Sequence, residues 1–330
     1  MKNSLKKLYV TGGAGYVGAV LVPKLLANGY LVTVLDLMIY GEDVISPHSN
    51  LKMIKGDIRD EALLKKTIPG HDAVIHLACI SNDPSFELNP ELGKTINLDA
   101  FEPLVQISQA AAVKRFIYAS SSSVYGVKEE KNVHEEMSLE PLTDYSRFKA
   151  DCEKILAKYQ SPSFTTVTLR PATVCGYSRR QRLDVVVNIL TNLAFHKREI
   201  SVFGGKQLRP NIHILDMVDA YLAVLDAPSE RIAGQIFNVG TENQSVLELA
   251  QTVQRAIGED VKLVATPTND NRSYHISSEK IAKELGFLPK HSIREAVEDL
   301  KQAFETGQLP NSFEDERYFN TKLMQGLNLK

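Results

Sequence analysis

The sequence predicts an α/β fold: a doubly wound parallel sheet with a smaller α/β lobe in the C-terminal half. Two observations carry this. Over the first 170 residues short apolar runs alternate with longer helical patterns, and a glycine-rich turn joins the first run to the first helix. The runs lie at 8–10, 31–35, 73–77, 115–119 and 165–169. They are rich in β-branched residues and apolar on both faces, as strands buried in a parallel sheet must be.

The elements follow in order. Residues 16–28 form an amphipathic helical pattern that Gly29 closes as a C-cap. Strand–helix alternation of this kind winds into a parallel sheet covered by helices. Beyond Pro171 the pattern loosens, with shorter strands at 200–203 and 235–239 among helices. Ser245 and Glu248 read as a capping box, and a last helix at 293–306 precedes a polar tail. No repeat, low-complexity segment or long linker divides the chain. Residues 1–170 are read as one domain and 171–330 mainly as a second lobe, with chain crossings between them.

Composition narrows the function classes. The 330 residues are 43% apolar and 24% charged, ordinary for a soluble globular protein. A net charge of −2 gives no electrostatic reason to expect nucleic acid or an anionic membrane as partner. Cys79, Cys152 and Cys175 form no CxxC pair, which argues against a zinc site or disulfide framework and fits a reducing compartment. The eight histidines have no metal-ligand spacing, so no metal is predicted. The basic start is followed by an apolar stretch too short for a signal-peptide core, and no apolar run reaches membrane-spanning length. The cytoplasm is the expected location. His76, at the end of a buried strand, is read as a core histidine held by a backbone partner.

The turn Val10-Thr11-Gly12-Gly13-Ala14-Gly15-Tyr16-Val17-Gly18 follows a strand and opens a helix. Glycines there let the backbone turn tightly and approach a pyrophosphate, while the helix N-terminus offers free N–H groups and partial positive charge. Asp36 ends the second strand, 18 residues past Gly18, where an acid binds the adenosine ribose hydroxyls. Together these indicate a dinucleotide site of Rossmann type. A carboxylate at Asp36 would repel a 2′-phosphate, which favours NAD over NADP.

Tyr145 and Lys149 are four residues apart in a helical pattern and so share a face. A nearby ammonium lowers a phenol's pKa and fits it to act as a base. The run Ser120-Ser121-Ser122-Ser123 follows a parallel strand, at the end of the sheet where ligands bind.

With Gly56-Asp57-Ile58, His76-Leu77-Ala78, Ser121 to Gly126 and Leu169-Arg170-Pro171, these motifs resemble the extended short-chain dehydrogenase/reductase family. Within that family the chain is similar to the NAD-dependent nucleotide-sugar epimerases and dehydratases, in order from about residue 7 to about residue 300. The resemblance implies that Gly12, Gly15 and Gly18, with Tyr16 and Val17 between them, cradle the pyrophosphate. Asp36 would bind the adenosine ribose, Asp57 and Ile58 would flank the adenine, and Leu77, Ala78 and Asn97 would line the cofactor path. Tyr145 would be the base, Lys149 would hold the nicotinamide ribose, and Ser121 would bond the reacting sugar oxygen. NAD would carry the hydride chemistry. By the same analogy the helix through 92–112 and the one bearing Lys149 pair in a homodimer, although Phe101, Leu104, Ile107 and Leu156 fit ordinary core packing equally well.

Ser122 and Ser123 occupy the positions of the Asp-Glu pair that drives water elimination in the 4,6-dehydratase branch, and neither hydroxyl can replace a carboxylic acid there. Epimerisation at C4 is the favoured reading. C4 dehydrogenation or 4-ketosugar reduction, or a non-catalytic NAD-binding module, are the alternatives. The same resemblance makes Ser122, Arg182, Arg209 and Arg272 the further candidates for the nucleotide sugar, and the planar fork of the three arginines suits them to pair bidentately with phosphate. The segment Gly176-Tyr177-Ser178-Arg179-Arg180-Gln181-Arg182-Leu183-Asp184 departs from the usual pattern. It resembles a minor branch, some of whose members act on nucleotide-linked heptoses or deoxysugars; a solvated basic loop is the alternative reading.

Overall fold

The computed structural model describes residues 5–130, 132–268, 273 and 275–327. In chain order the strands are β1 (Lys7–Thr11), β2 (Leu31–Asp36), β3 (Leu51–Lys55), β4 (Ala73–His76), β5 (Arg115–Ala119), β6 (Thr165–Pro171), β7 (Thr173–Cys175), β8 (Glu199–Phe203), β9 (Leu208–His213), β10 (Gln235–Val239), β11 (Glu242–Ser245) and β12 (Lys262–Thr266). Seven of them form one parallel sheet in the order β10-β6-β5-β4-β1-β2-β3. The order reverses between β1 and β4, which opens a crevice beyond their carboxyl ends.

The five apolar runs are β1, β2, β4, β5 and β6, each buried almost throughout. β3 gave no such run because it is the sheet's edge: Lys52 and Lys55 are exposed and interrupt its apolar pattern. β10, from the later half, returns to pair with β6, and the helix Ile214–Asp226 packs Met217, Val218 and Tyr221 into the core of the same sheet. The first helix runs Gly18–Ala27, and Gly29 beyond it takes a positive φ of 83°, as a helix stop requires.

The second lobe is built on a three-stranded sheet, β11-β9-β7, and a two-stranded parallel pair, β12-β8. The helices Val186–Lys197, Val246–Ile257 and Ile293–Glu305 enclose its apolar core around Leu190, Val253 and Val297. Ser245 and Glu248 form the expected reciprocal cap. Among the described residues no helix is long and apolar enough to cross a membrane.

The helix expected through 92–112 is interrupted. Pro90–Lys94 and Phe101–Ala110 are α-helical, and Thr95–Asp99 between them is a π-turn. The wider turn aims Asn97 at the loop after β4, where its amide accepts from Ile80 N–H at 2.8 Å and donates to Ile80 C=O at 3.0 Å. Phe101, Leu104, Ile107 and Leu156 are all buried in the core.

His76 is a core residue, 3% exposed, but its partner is a side chain. Nδ1 lies 2.7 Å from the Thr11 hydroxyl on the neighbouring strand. Burial, with Lys149 nearby, pushes its pKa down to about 3, so the ring is neutral at physiological pH. In the unfolded chain imidazole titrates near ~6.5. Protons therefore bind preferentially to the unfolded state as pH falls below that value, and stability drops until the folded pKa is reached. The expected share of this one group is a loss approaching about 1.4 kcal/mol per pH unit. Urea midpoints of wild type and His76→Asn, followed from roughly pH 7 to roughly pH 4, should converge as the pH falls. Parallel curves would mean that His76 is not the titrating group.

Candidate active site

The crevice beyond β1 and β4 is part of a continuous cleft of about 500 Å³. Its floor is the glycine turn. Gly12 has φ of 72°, and a Cβ there would sit 2.5 Å from the Ala78 nitrogen; at Gly18 it would meet the Gly13 carbonyl oxygen at 2.3 Å. Both clashes are with backbone, so these two glycines are required by the packing of the turn itself. Gly15 differs. Its Cβ would approach only the Gly12 oxygen, at 3.2 Å, while the residue faces the cleft, so its missing side chain leaves room for a ligand. The helix that follows has no side-chain cap and no acid in its first turn, which leaves its N-terminus open to an anion.

Asp36 closes the next wall. Its two carboxylate oxygens accept from Ala14 N–H at 2.9 Å and Met38 N–H at 2.8 Å. Burial raises its pKa and these backbone donors oppose the rise. Asp57 pairs with Arg59 at 2.6 Å, which holds its carboxyl below the usual range against the effect of partial burial.

The opposite end of the cleft is formed by β5 and the helix Asp144–Ala157. A capping box joins Thr143 to Ser146, and the Thr143 hydroxyl donates to Asp83 at 2.6 Å, fixing the turn that carries Tyr145. Lys149, 5% exposed, donates to Ala119 C=O at 2.6 Å. Its ammonium lies 5.1 Å from the Tyr118 ring centroid and 5.9 Å from that of Tyr145. Ser121 opens a 3₁₀ turn, its hydroxyl accepting from Ser123 N–H at 3.1 Å and lying 2.8 Å from the Ser123 hydroxyl. A phenol, an ammonium and a hydroxyl thus line one end of the cleft, as proton transfer at a hydroxyl or carbonyl of a ligand requires.

The structure brings together nearly every residue singled out from the sequence. The glycine turn with Tyr16 and Val17, Asp36, Asp57, Ile58, Leu77, Ala78, Ser121, Ser122, Tyr145, Lys149, Arg182 and Arg209 all line this cleft. Asn97 stands behind the wall and shapes it by holding Ile80, which does line it. Arg272 lies outside the described residues.

Three features go beyond the sequence reading. Arg170 on β6 and Glu153 on the helix Asp144–Ala157 form a buried pair at 2.6 Å, and the Ser120 hydroxyl also donates to Glu153. Arg170 further donates to the Tyr125 hydroxyl at 2.7 Å. The motif Leu169-Arg170-Pro171 and the spacing Tyr145, Lys149, Glu153 were the available signals. Second, the segment 176–184 is not a solvated loop: Ser178, Arg180, Gln181 and Leu183 are each at most 3% exposed. Third, Asn320 reaches the cleft from the far end of the sequence. Its side chain accepts from Tyr40 Oη at 3.1 Å and from Arg180 and donates to Ser81 Oγ at 2.9 Å, and its N–H donates to Asp184 at 2.9 Å.

A family model described as the NAD dependent epimerase/dehydratase family matches residues 8–240. The bifunctional UDP-glucose 4-epimerase and UDP-xylose 4-epimerase 1 of Pisum sativum is 28% identical, covering 91% of this chain and 95% of its own. The dTDP-D-glucose 4,6-dehydratase of Bos taurus is 31% identical, covering 88% and 86%. The UDP-glucose 4-epimerase of Thermotoga maritima, solved with UDP-glucose, superposes with a TM-score of 0.83 at 26% identity, covering 91% of this chain and 99% of that one. The glycine turn, Asp36 and the Tyr145/Lys149 pair fit a bound dinucleotide, and with this match over more than half of the sequence the chain belongs to the NAD dependent epimerase/dehydratase family of extended short-chain dehydrogenases.

Proposed function

We propose that this chain is a nucleotide-sugar 4-epimerase. What supports the reading is that Tyr145, Lys149 and Ser121 line the same cleft, with Ser122 and Ser123 at the positions that the family resemblance gives to a dehydratase's acids. The carboxylates that line the cleft are already engaged: Asp36 by Ala14 and Met38, Asp57 by Arg59, Asp83 by Thr143, and Asp184 by Arg182 at 2.8 Å. Each of the four is held by a protein partner.

Bound NAD supplies the acceptor and donor of a hydride at the sugar carbon. Tyr145 takes the proton of the sugar hydroxyl as that carbon is oxidised and returns it when the ketone is reduced. Lys149, held by the Ala119 carbonyl, places positive charge beside the phenol and beside the ribose it binds. Ser121 bonds the reacting oxygen and fixes its distance from the phenol. Inversion needs the ketone to present its other face to the same hydride, so the sugar turns while the nucleotide stays held. Arg209 on β9, opposite the catalytic helix, is suited to hold its phosphates.

In this reading residues 1–170, with the returning segment through β10, carry NAD, and the remainder of 171–330 takes the nucleotide sugar. The unpaired cysteines support a cytoplasmic setting. A homodimer through the helices Phe101–Ala110 and Asp144–Ala157 completes the proposal. With Phe101, Leu104, Ile107 and Leu156 committed to the core, Phe148 and Ile155, both half-buried, are left to supply apolar contact.

Tyr145→Phe should bind NAD nearly as wild type does and lose about 10²–10⁴-fold in turnover. Wild-type turnover in that variant, with NAD bound, would remove Tyr145 from the base role. The reaction itself is tested by incubating the NAD-loaded enzyme with UDP-, dTDP-, GDP- and CDP-sugars and analysing products. Inversion at C4 is expected. An accumulating 4-ketosugar would assign the C4 dehydrogenase alternative, loss of water would return the chain to the dehydratases, and no reaction with any of them would overturn the substrate class.

A further inference from the structure

Two buried guanidinium groups in the cleft lack the partners that their burial calls for. Arg180 is 3% exposed and lies flat over the Tyr40 ring, 3.4 Å from its centroid. It donates to the Asn320 amide oxygen, reaches the Gln181 carbonyl at 3.4 Å and bonds the Tyr40 side chain, and the one nitrogen left buried with no acceptor is Nε. Arg182 has a side chain 12% exposed, donates through Nε to Asp184 at 2.8 Å and reaches Ser81 Oγ only at 3.4 Å. Its Nη2 is likewise buried without an acceptor. Desolvating such groups without pairing them is costly, and an anion with several oxygens would relieve both at once.

The place of the pair identifies the anion. The segment carrying it is fastened to the glycine turn: the Tyr16 hydroxyl donates to Gly176 C=O at 2.7 Å, the Ser178 hydroxyl donates to Tyr16 C=O at 2.8 Å, and Asn188 donates to Tyr16 Oη at 3.0 Å. Both guanidinium groups act electrostatically on Tyr16, and Arg180 also acts on Asp36. Tyr40 follows β2 and Ser81 follows β4, so the segment spans the two loops that flank the glycine turn. We propose that Arg180 and Arg182 are the second half of the dinucleotide site, closing over the NAD pyrophosphate from the lobe side while the glycine turn holds it from the sheet side. Arg182, which the sequence alone associates with the nucleotide sugar, is thereby moved to the cofactor, and Arg209 remains for the substrate. The inference rests on the assignment of the cleft to NAD.

Calorimetric titration of the cofactor-stripped full chain tests it with NAD and, separately on the NAD-saturated protein, with UDP and dTDP. Arg180→Gln and Arg182→Gln should each weaken NAD by about tenfold or more, and should flatten the fall of NAD affinity with added salt. Arg182→Lys, which restores the charge without the fork, should recover part of the loss. Nucleoside diphosphate affinity at saturating NAD should stay unchanged in these variants and fall in Arg209→Gln. Thermal unfolding of the stripped variants identifies any that fail to fold, and for a weakened fold the NAD-induced rise in Tm gives the same comparison. Variants that bind NAD like wild type but lose the nucleoside diphosphate would overturn the proposal and return both arginines to the substrate. A wild-type protein that binds no NAD would instead overturn the cofactor assignment beneath it.

Discussion

The position of the Tyr145 phenol depends on a buried ion pair that does not itself line the cleft. Glu153 and Arg170 have side chains only 4% and 3% exposed, and their bond ties the helix Asp144–Ala157 to the end of β6. Tyr145, Lys149 and Glu153 follow one another at four-residue intervals and so form one stripe along that helix. Chemistry occupies one end of the stripe and anchorage the other. Between them Lys149 grips β5 through Ala119, and Ser120 reaches across to Glu153. Removing one partner of such a pair leaves an uncompensated buried charge, a penalty of about 3–5 kcal/mol. The active-site geometry is therefore secured by charges that the fold cannot easily release.

The anchor extends further than two residues. Arg170 also bonds the Tyr125 hydroxyl, which donates to Asn238 on β10 at 2.7 Å, and Glu135 accepts from the Asn238 N–H at 2.7 Å. The strand that returns from the second half of the chain is thus bonded into the support of the catalytic helix. A movement of the lobe relative to the sheet would be felt at Tyr145 through this chain of contacts, and the edge position of β10 makes that strand the shared element.

What was legible in the sequence divides along physical lines. Strands buried on both faces leave continuous apolar runs, and β1, β2, β4, β5 and β6 were read that way; β3, half-solvated at the edge, left none. The glycine turn and Asp36 were legible because one strand and one helix set a fixed spacing between a tight turn and an acid at the end of β2. Tyr145 and Lys149 were legible because one helical turn joins them. The π-turn at 95–99 was not, since the bonds from Asn97 to Ile80 that accompany it are tertiary. Arg182 reads as a ligand-binding candidate with a solvated loop as the alternative for its segment, and the packing against Tyr40 and Asp184 shows that Arg180 and Arg182 are enclosed. Asn320 had no local signal at all, because each of its partners is distant in the sequence.

That distance sets an order on the making of the protein. Gly12, Asp36, Ser121 and Tyr145 leave the ribosome early and can settle into the sheet while synthesis continues. The amide that joins Tyr40, Ser81 and Arg180, and the N–H that meets Asp184, are supplied only by Asn320. Until that residue emerges those four partners lack the group that joins them, even where Ser121, Tyr145 and Lys149 are already in place. Enclosure is therefore made after the sheet, because every bond that Asn320 forms there spans at least 136 residues of chain.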